Sequence, residues 1–114
     1  MLEPLLGSTI REYILVYLTV FNEGYPRQIA RFYHTDISQI QKQMERLEKG
    51  GIVQCRTIGR TRLYRRDPDY PLYDELERLV RKAIGLYPET ERERLLPSSR
   101  SVEYRYEPLS VELL

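Results

Sequence analysis

The sequence contains few of the residues that build metal centres and disulfides: one cysteine, Cys55, and one histidine, His34, among 114 residues. A lone cysteine has no partner for an internal disulfide, which favours the reducing cytoplasm as the compartment. The two residues also lack the paired spacing of tetrahedral zinc ligands. We therefore expect no metal site, and we interpret His34 as a turn residue and Cys55 as a small packing residue in a strand.

Catalytic motifs are missing as well. The chain has no glycine-rich phosphate loop and no Gly-x-Ser-x-Gly nucleophile elbow. An enzyme of this length would need a recognisable set of nucleophiles, acids and bases, and the sequence offers none. We expect a protein without enzymatic activity and without a cofactor.

Long hydrophobic segments are absent too. The main apolar run, 14–21, is shorter than a helix that spans a bilayer, and no signal peptide precedes it. Hydrophobic residues make up 41% of the chain and charged residues 31%, which is typical of a folded protein rather than a disordered one. We expect one domain with an extension, and no membrane association.

The chain has no large excess of one charge, because its net charge is only +1. The charges are unevenly distributed, however. The segment RTIGRTRLYRR at 56–66 carries five arginines, and no acidic residue lies between Lys49 and Asp67. Two interpretations are open at this point: a solvated, arginine-rich hairpin, or a surface that contacts a polyanion.

Hydrophobic periodicity and capping residues predict four main helices. The first begins behind the N-cap Ser8 and ends at Phe21, where Gly24 is expected to supply the positive φ of the helix C-terminus. It is apolar on both sides, which indicates burial either within its own domain or against a second subunit. The other helices are expected at 26–33, at 37–49 behind the cap Asp36, and at 71–84 before Gly85.

Two segments rich in β-branched residues, 52–58 and 61–66, predict strands joined by a tight turn at Gly59-Arg60. The fold class is therefore mainly α with a small β-hairpin (α+β), in the order α-α-α-β-β-α. We divide the chain into a domain at 1–85 and a C-terminal extension at 86–114. Candidate elements of the extension are a short helix at 89–96 and a short strand at 102–106. The extension is either flexible or part of a dimer interface through Val102, Tyr104 and Tyr106.

The helices at 26–33 and 37–49, separated by a short break, match a helix-turn-helix arrangement, whose second helix can enter a major groove. That helix has one apolar stripe and an opposite face of polar residues. Glutamine is suited to adenine, lysine to guanine and serine to either. The residues that supply this chemistry are Ser38, Gln39, Lys42 and Gln43. A solvated helix face without a ligand is the alternative interpretation.

The arginine-rich hairpin adds donors for phosphate groups directly after that helix. Strand alternation separates Arg56 from Arg60 and Arg62, so the five arginines cannot all point the same way. We expect Arg56, Arg60 and Arg62 to contact DNA. The remaining arginines are expected to form ion pairs with nearby acids, Arg65 and Arg66 with Asp67 or Asp69.

Five segments of the chain form a familiar combination: LGSTIR at 6–11, QIAR at 28–31, MERLEKGGIV at 44–53, GRTRLY at 59–64 and DPDYPLYDEL at 67–76. Through them, residues 5–85 resemble the winged helix-turn-helix of bacterial and archaeal transcription regulators in the broad ArsR/MarR group. Two departures limit the resemblance: Tyr33-His34 replaces the usual small residue and glycine of the inter-helix turn, and the Cys and His clusters of metal-sensing members are absent.

The resemblance implies a homodimer, built by the first and last helices, that binds duplex DNA with the third helix in the major groove. The hairpin would form a wing on the backbone or minor groove, and Thr35 would join the DNA-facing residues. The expected function is a sequence-specific, double-stranded DNA-binding transcription regulator. A winged-helix adaptor that binds protein instead of DNA is the alternative, since the net charge is small. The sequence identifies no small-molecule effector.

Overall fold

The computed structural model describes residues 1–96, so the strand expected at 102–106 and its Val102, Tyr104 and Tyr106 lie outside the described residues. Residues 1–96 form six helices and three short antiparallel strands. The chain is thus mainly helical with a small sheet, as the sequence predicts. The elements are α1 (Glu3–Leu6), α2 (Thr9–Phe21), β1 (Glu23–Gly24), α3 (Pro26–Tyr33), α4 (Ile37–Lys49), β2 (Val53–Ile58), β3 (Thr61–Arg66), α5 (Tyr73–Leu86) and α6 (Glu89–Leu95).

Capping side chains set the starts of two helices where the sequence predicts them. The Ser8 hydroxyl accepts a hydrogen bond from the Arg11 backbone nitrogen at 3.2 Å, and the Asp36 carboxylate accepts one from the Ser38 nitrogen at 3.0 Å. These bonds satisfy backbone donors that have no partner within the first turn of a helix. His34 ends α3 in the left-handed region with φ 54°, which confirms it as a turn residue.

Helix α2 lies at the centre of the molecule and contacts α1, α4, α5 and two strands. Ile14 and Leu18 lie on one side of the helix and Val16 lies on the opposite side, yet each is at most 1% exposed. The two-sided apolar pattern of α2 is therefore explained by burial within its own chain. A second subunit is not needed to cover it.

The sheet has the strand order β1-β3-β2, and β1 was not predicted. Gly24 pairs with Tyr64 in β3, so it is a strand residue and not the left-handed helix end that the sequence suggested. Asn22 has the positive φ instead, at 75°. A Cβ added to Gly24 would lie 2.7 Å from Cε1 of Tyr17. Glycine is required there because strand and helix approach too closely for any side chain.

The hairpin of β2 and β3 has the predicted two-residue turn. Ile58 and Thr61 are partners at its end, and Gly59 between them has φ 62°. A positive φ at the first turn residue alone is typical of a type II′ turn, whose handedness matches the twist of the strands.

Helix α5 runs through Gly85 to Leu86, past the end predicted at Ile84. Its Glu77 forms ion pairs with Arg66 and with Arg81. The prediction that Arg66 pairs with Asp67 or Asp69 was therefore wrong, because the strand directs its side chain toward α5. Burial alone would raise the pKa of Glu77, but hydrogen bonds from Arg81 and Arg66 outweigh it and lower the pKa.

Residues 86–96 pack back onto the body of the protein. The Tyr87 hydroxyl donates a hydrogen bond to the buried Glu12 carboxylate, which also accepts one from the Leu2 nitrogen at 2.9 Å. Burial, together with this bond to Glu12, raises the pKa of Tyr87. In α6, the Arg94 guanidinium lies 4.1 Å from the centre of the Phe32 ring. These contacts join the end of the described chain to α2 and α3.

Candidate nucleic-acid interface

Helix α4 has one face in the core and the opposite face in solvent. Ile40 and Met44 are fully buried, and they hold the helix against α2 and α3. Ser38, Gln39 and Lys42 are exposed on the other side, at spacings of three and four that place them next to one another. The structure therefore brings these three predicted site residues together on one accessible surface.

The N-terminal end of this surface is ordered by the cap. Asp36 Oδ1 accepts hydrogen bonds from both the nitrogen and the hydroxyl of Ser38, each at 3.0 Å. The Ser38 oxygen keeps its acceptor capacity, since a hydroxyl has two lone pairs. Thr35 lies just before the cap, half-buried, and its nitrogen donates to the Ala30 carbonyl at 2.9 Å. Thr35 thus closes the turn between α3 and α4.

Gln43 is set apart from the other three residues. Its side chain is on the flank of α4, half-buried, and its Oε1 accepts a hydrogen bond from Arg11 Nε at 2.9 Å. The structure gives Gln43 a contact with α2. Sequence spacing could not separate this role from a role at the exposed surface, because Arg11 is 32 positions away.

Two cations on the exposed side of α4 were left out of the predicted site. Arg46 and Lys49 follow Lys42 by four and seven residues and are both exposed. The helical period that grouped Gln39 with Lys42 would also have found them. Glu45 is exposed as well and offsets part of their charge.

The two hairpin arginines at the middle of the strands lie on opposite faces of the sheet. Antiparallel partners share a face, and Thr57 pairs with Arg62 while Arg56 pairs with Leu63. Arg56 is exposed, with its guanidinium 3.9 Å from a Glu23 carboxylate oxygen of β1. One flat polyanion therefore cannot contact Arg56 and Arg62 through the same sheet face.

Arg62 connects the hairpin to α4. Its terminal nitrogen lies 3.2 Å from both carboxylate oxygens of Glu48, and its Nε lies 3.1 Å from Cys55 Sγ. The hydrogen bond to Cys55 and the neighbouring Tyr64 raise the pKa of Arg62, which therefore stays cationic. Burial raises the pKa of Tyr64 to about 12, so its hydroxyl stays neutral. Arg62 thus fixes the hairpin beside the C-terminal half of the helix.

Arg60 occupies the turn of the hairpin and is exposed. Among residues 1–96, no carboxylate forms an ion pair with it. An unpaired guanidinium at the end of a hairpin can donate several hydrogen bonds to phosphate oxygens without first losing a partner. Of the three predicted wing arginines, Arg60 has the fewest competing contacts.

Residues 1–96 contain no group of three or more His, Cys, Asp and Glu residues that could hold a metal ion. Within the same residues no helix has the length and apolar character needed to cross a membrane. The chemistry that this surface offers consists of hydrogen-bond donors, acceptors and exposed cations on α4 and the hairpin.

Comparison of the chain with protein-family models, curated proteins and solved structures finds no match.

Proposed function

We propose that this protein is a sequence-specific, double-stranded DNA-binding transcription regulator of the cytoplasm, with a winged helix-turn-helix fold. Helices α3 and α4 form the helix-turn-helix, and β2 with β3 forms the wing. The observation that carries the proposal is the exposed face of α4. It presents Ser38, Gln39 and Lys42 on a helix whose other face is buried in the core.

Each group has a distinct role in this proposal. Gln39 and Lys42 read base edges in the major groove, where glutamine pairs with adenine and lysine with guanine. Arg60 binds phosphate oxygens and positions the protein without selecting a sequence. Arg62 holds the wing against Glu48, so that helix and wing present their donors in a fixed relation. Thr35 and Ser38 supply hydroxyls at the N-terminal end of α4.

Helix α5 supplies a surface for the proposed homodimer. Leu72, Leu79 and Leu86 are seven residues apart and are 55%, 37% and 60% exposed. Their seven-residue spacing, two turns of a helix, places them in one stripe along α5 that can serve as a seam for a second helix. Solvent-exposed leucines in such a row favour packing against a second helix of the same kind.

Charges beside the seam favour an antiparallel pair of α5 helices about a twofold axis at Leu79. In that arrangement Leu72 of one copy meets Leu86 of the other. Glu75 then lies close to Lys82 of the second copy, and the same pair occurs twice because the interface is symmetric. We propose that α5 alone, and not α2, forms the dimer interface.

A salt titration with duplex DNA tests DNA binding. Binding of a fluorescent random-sequence duplex should weaken steeply with salt, and Arg60→Ala should reduce the slope of log affinity against log salt by about 0.9, the value for one phosphate contact. Arg92→Ala removes the same charge from α6, outside α4, the hairpin and the α5 seam, and serves as the control. A protein that shows no salt-dependent binding at micromolar concentration is not a DNA-binding regulator, and the adaptor function would replace it.

Selection of bound duplexes from a random pool tests the role of α4. The parent protein should select two half-sites about one helical turn apart, as expected for a twofold dimer. Gln39→Ala and Lys42→Ala should each relax the selection at one position, with a loss of about 1–3 kcal/mol of discrimination. Unchanged selection in both variants would show that another element reads the sequence.

Sedimentation velocity tests the dimer. Glu75→Lys should weaken self-association because it opposes Lys82 of the second copy, and the charge swap Glu75→Lys with Lys82→Glu should restore it. If the swap associates no better than the single variant, the antiparallel arrangement is wrong.

A further inference from the structure

A groove of about 510 Å³ lies between α1, α2, α4 and α5. Its volume is within the range of sites that hold small organic molecules. The lining is mainly aliphatic, with Tyr70 as its aromatic residue. The aliphatic lining residues are Leu5, Leu6, Leu15, Leu47, Ile52, Leu72, Leu76 and Leu79.

Arg11 lies at one side of this groove in a fixed position. Its Nε donates to Gln43 Oε1 at 2.9 Å and one terminal nitrogen donates to the Leu6 carbonyl at 2.7 Å. Both acceptors are neutral, and among residues 1–96 no carboxylate forms an ion pair with Arg11. A half-buried guanidinium without a counter-charge, held in place beside an apolar surface, is suited to bind an anion.

The net charge of the residues that line the groove is positive. Arg46 also lines it and has no ion pair with any described residue, whereas Glu75 has Arg78 as a partner at 3.8 Å. A ligand with a single negative charge and an apolar body would therefore satisfy both parts of the site. The aliphatic walls fit a flexible hydrocarbon chain.

We infer that the groove binds an aliphatic monocarboxylate of medium chain length, with its carboxylate on Arg11 and its hydrocarbon chain among the leucines of α1, α4 and α5. Arg46 contributes a second positive charge at the α4 side. The binding of the ligand does not depend on DNA and can be measured on the protein alone.

The regulatory part of this inference rests on the proposed function. A carboxylate that binds Arg11 shares the guanidinium with Gln43, and Gln43 belongs to α4. Occupancy of the groove is therefore coupled to the position of the helix that carries Gln39 and Lys42. A ligand can act on DNA binding in this way only if it binds more tightly to one arrangement of α4 than to another.

A second copy of the chain competes with the ligand for part of this groove, because Leu72 and Leu79 belong both to the groove and to the proposed dimer seam. The charge of Arg11 distinguishes the two. A second copy that packs its own leucines into the groove leaves this guanidinium without a counter-charge, whereas a carboxylate neutralises it.

Isothermal titration with a series of ligands tests the binding site. Hexanoate, octanoate and decanoate, used below their micelle concentrations, should bind with Kd values that fall about fourfold for each added methylene. Decan-1-ol should bind at least about tenfold more weakly than decanoate, since it lacks the charge that bonds to a guanidinium. Decanoate that fails to bind saturably, or binds no better than decan-1-ol, overturns the inference.

Charge variants locate the carboxylate. Arg11→Gln should weaken decanoate binding by about tenfold or more and leave decan-1-ol unaffected. Arg46→Gln should weaken it to a smaller extent, and it offers a second test if Arg11→Gln does not fold. Arg92→Gln removes an equal charge from α6, outside the groove, and should have no effect. An equal loss of decanoate affinity in all three variants would refute a specific position of the carboxylate.

Titration of DNA with and without saturating decanoate tests the coupling. A change in DNA affinity of about fivefold or more, the lower end of typical coupling energies, is expected in the parent protein, and a smaller change in Gln43→Ala. Decanoate binding without any DNA binding would refute the proposed function and leave the groove assignment standing. DNA binding that decanoate does not alter would refute the coupling.

Discussion

Replacing Gly24 with alanine tests the close packing of β1 against α2. An added Cβ would lie 2.7 Å from Cε1 and 3.2 Å from Cδ1 of Tyr17, and 3.5 Å from Cδ1 of Ile29. The Tyr17 ring cannot easily move aside, because it is 9% exposed and stacks on Phe21 with 4.4 Å between ring centres. Overpacking of this kind costs about 1–3 kcal/mol of folding free energy. For a domain of about 100 residues, that lowers Tm by roughly 4–24 °C.

Gly85→Ala is the matched control, because the substitution is the same and the surroundings are open. No atom lies within 4 Å of a Cβ added to Gly85, and the residue is inside α5. Alanine should therefore raise the free energy of unfolding by about 0.5–1 kcal/mol, since it favours a helix over glycine. The two variants should shift in opposite directions.

Urea unfolding followed by circular dichroism measures both shifts. The midpoint should fall for Gly24→Ala and rise for Gly85→Ala, with the slope unchanged if the unfolded state is the same. A Gly24→Ala protein as stable as the parent would refute the close approach of β1 to Tyr17. Shifts of the same sign in both variants would point to the unfolded chain as their origin.

Three further predictions concern the turn, the α5 ion pairs and the end of the described chain. Gly59→Ala should lower the free energy of unfolding, measured in urea, by about 1–2 kcal/mol from backbone strain alone, because φ is 62° and no atom lies within 4 Å of an added Cβ. Gly59→Asn should lower it less. Glu77→Gln should be less stable than the parent at pH 7. Because the pKa of Glu77 is lowered in the folded state, the stability it contributes is present above the unfolded pKa of about 4.3 and is lost as pH falls through the folded pKa. The urea midpoints of the parent and of Glu77→Gln should therefore converge in acid. A difference between the two midpoints that persists in acid would contradict this. Tyr87→Phe should lower stability by about 1.5 kcal/mol, since it removes a hydrogen bond to the buried Glu12 carboxylate, and an unchanged urea midpoint would contradict that bond.

Local signals in the sequence were sufficient for α4 and for the hairpin. The apolar spacing of Ile40, Met44 and Leu47, the cap Asp36 and the turn glycine Gly59 each act within a few residues. Such features are fixed by helix or strand geometry alone, so the bounds of α4 and the turn of the hairpin were predicted correctly.

Contacts between distant residues were not accessible in the same way. A strand of two residues such as β1 shows no alternation, and its pairing depends on Tyr64, which is 40 positions further along the chain. The contacts of Arg11 with Gln43 and of Arg66 with Glu77 could not be predicted for the same reason. In each pair the partner is brought close only by the packing of other helices. The predicted site therefore grouped Gln43 with the exposed residues of α4, although Gln43 lies on the flank of the helix.

The position of β3 between two partners restricts how this protein can vary in length. Side chains alternate along a strand, so one residue inserted between Leu63 and Tyr64 would exchange the faces of Arg62 and Leu63. The pairing of Gly24 with Tyr64 prevents the strand from sliding to compensate. Insertions and deletions in related chains should therefore occur at Gly59-Arg60, or in matched pairs across the hairpin. The length of the hairpin can therefore differ between related chains, while the face of the sheet that carries Arg62 stays the same.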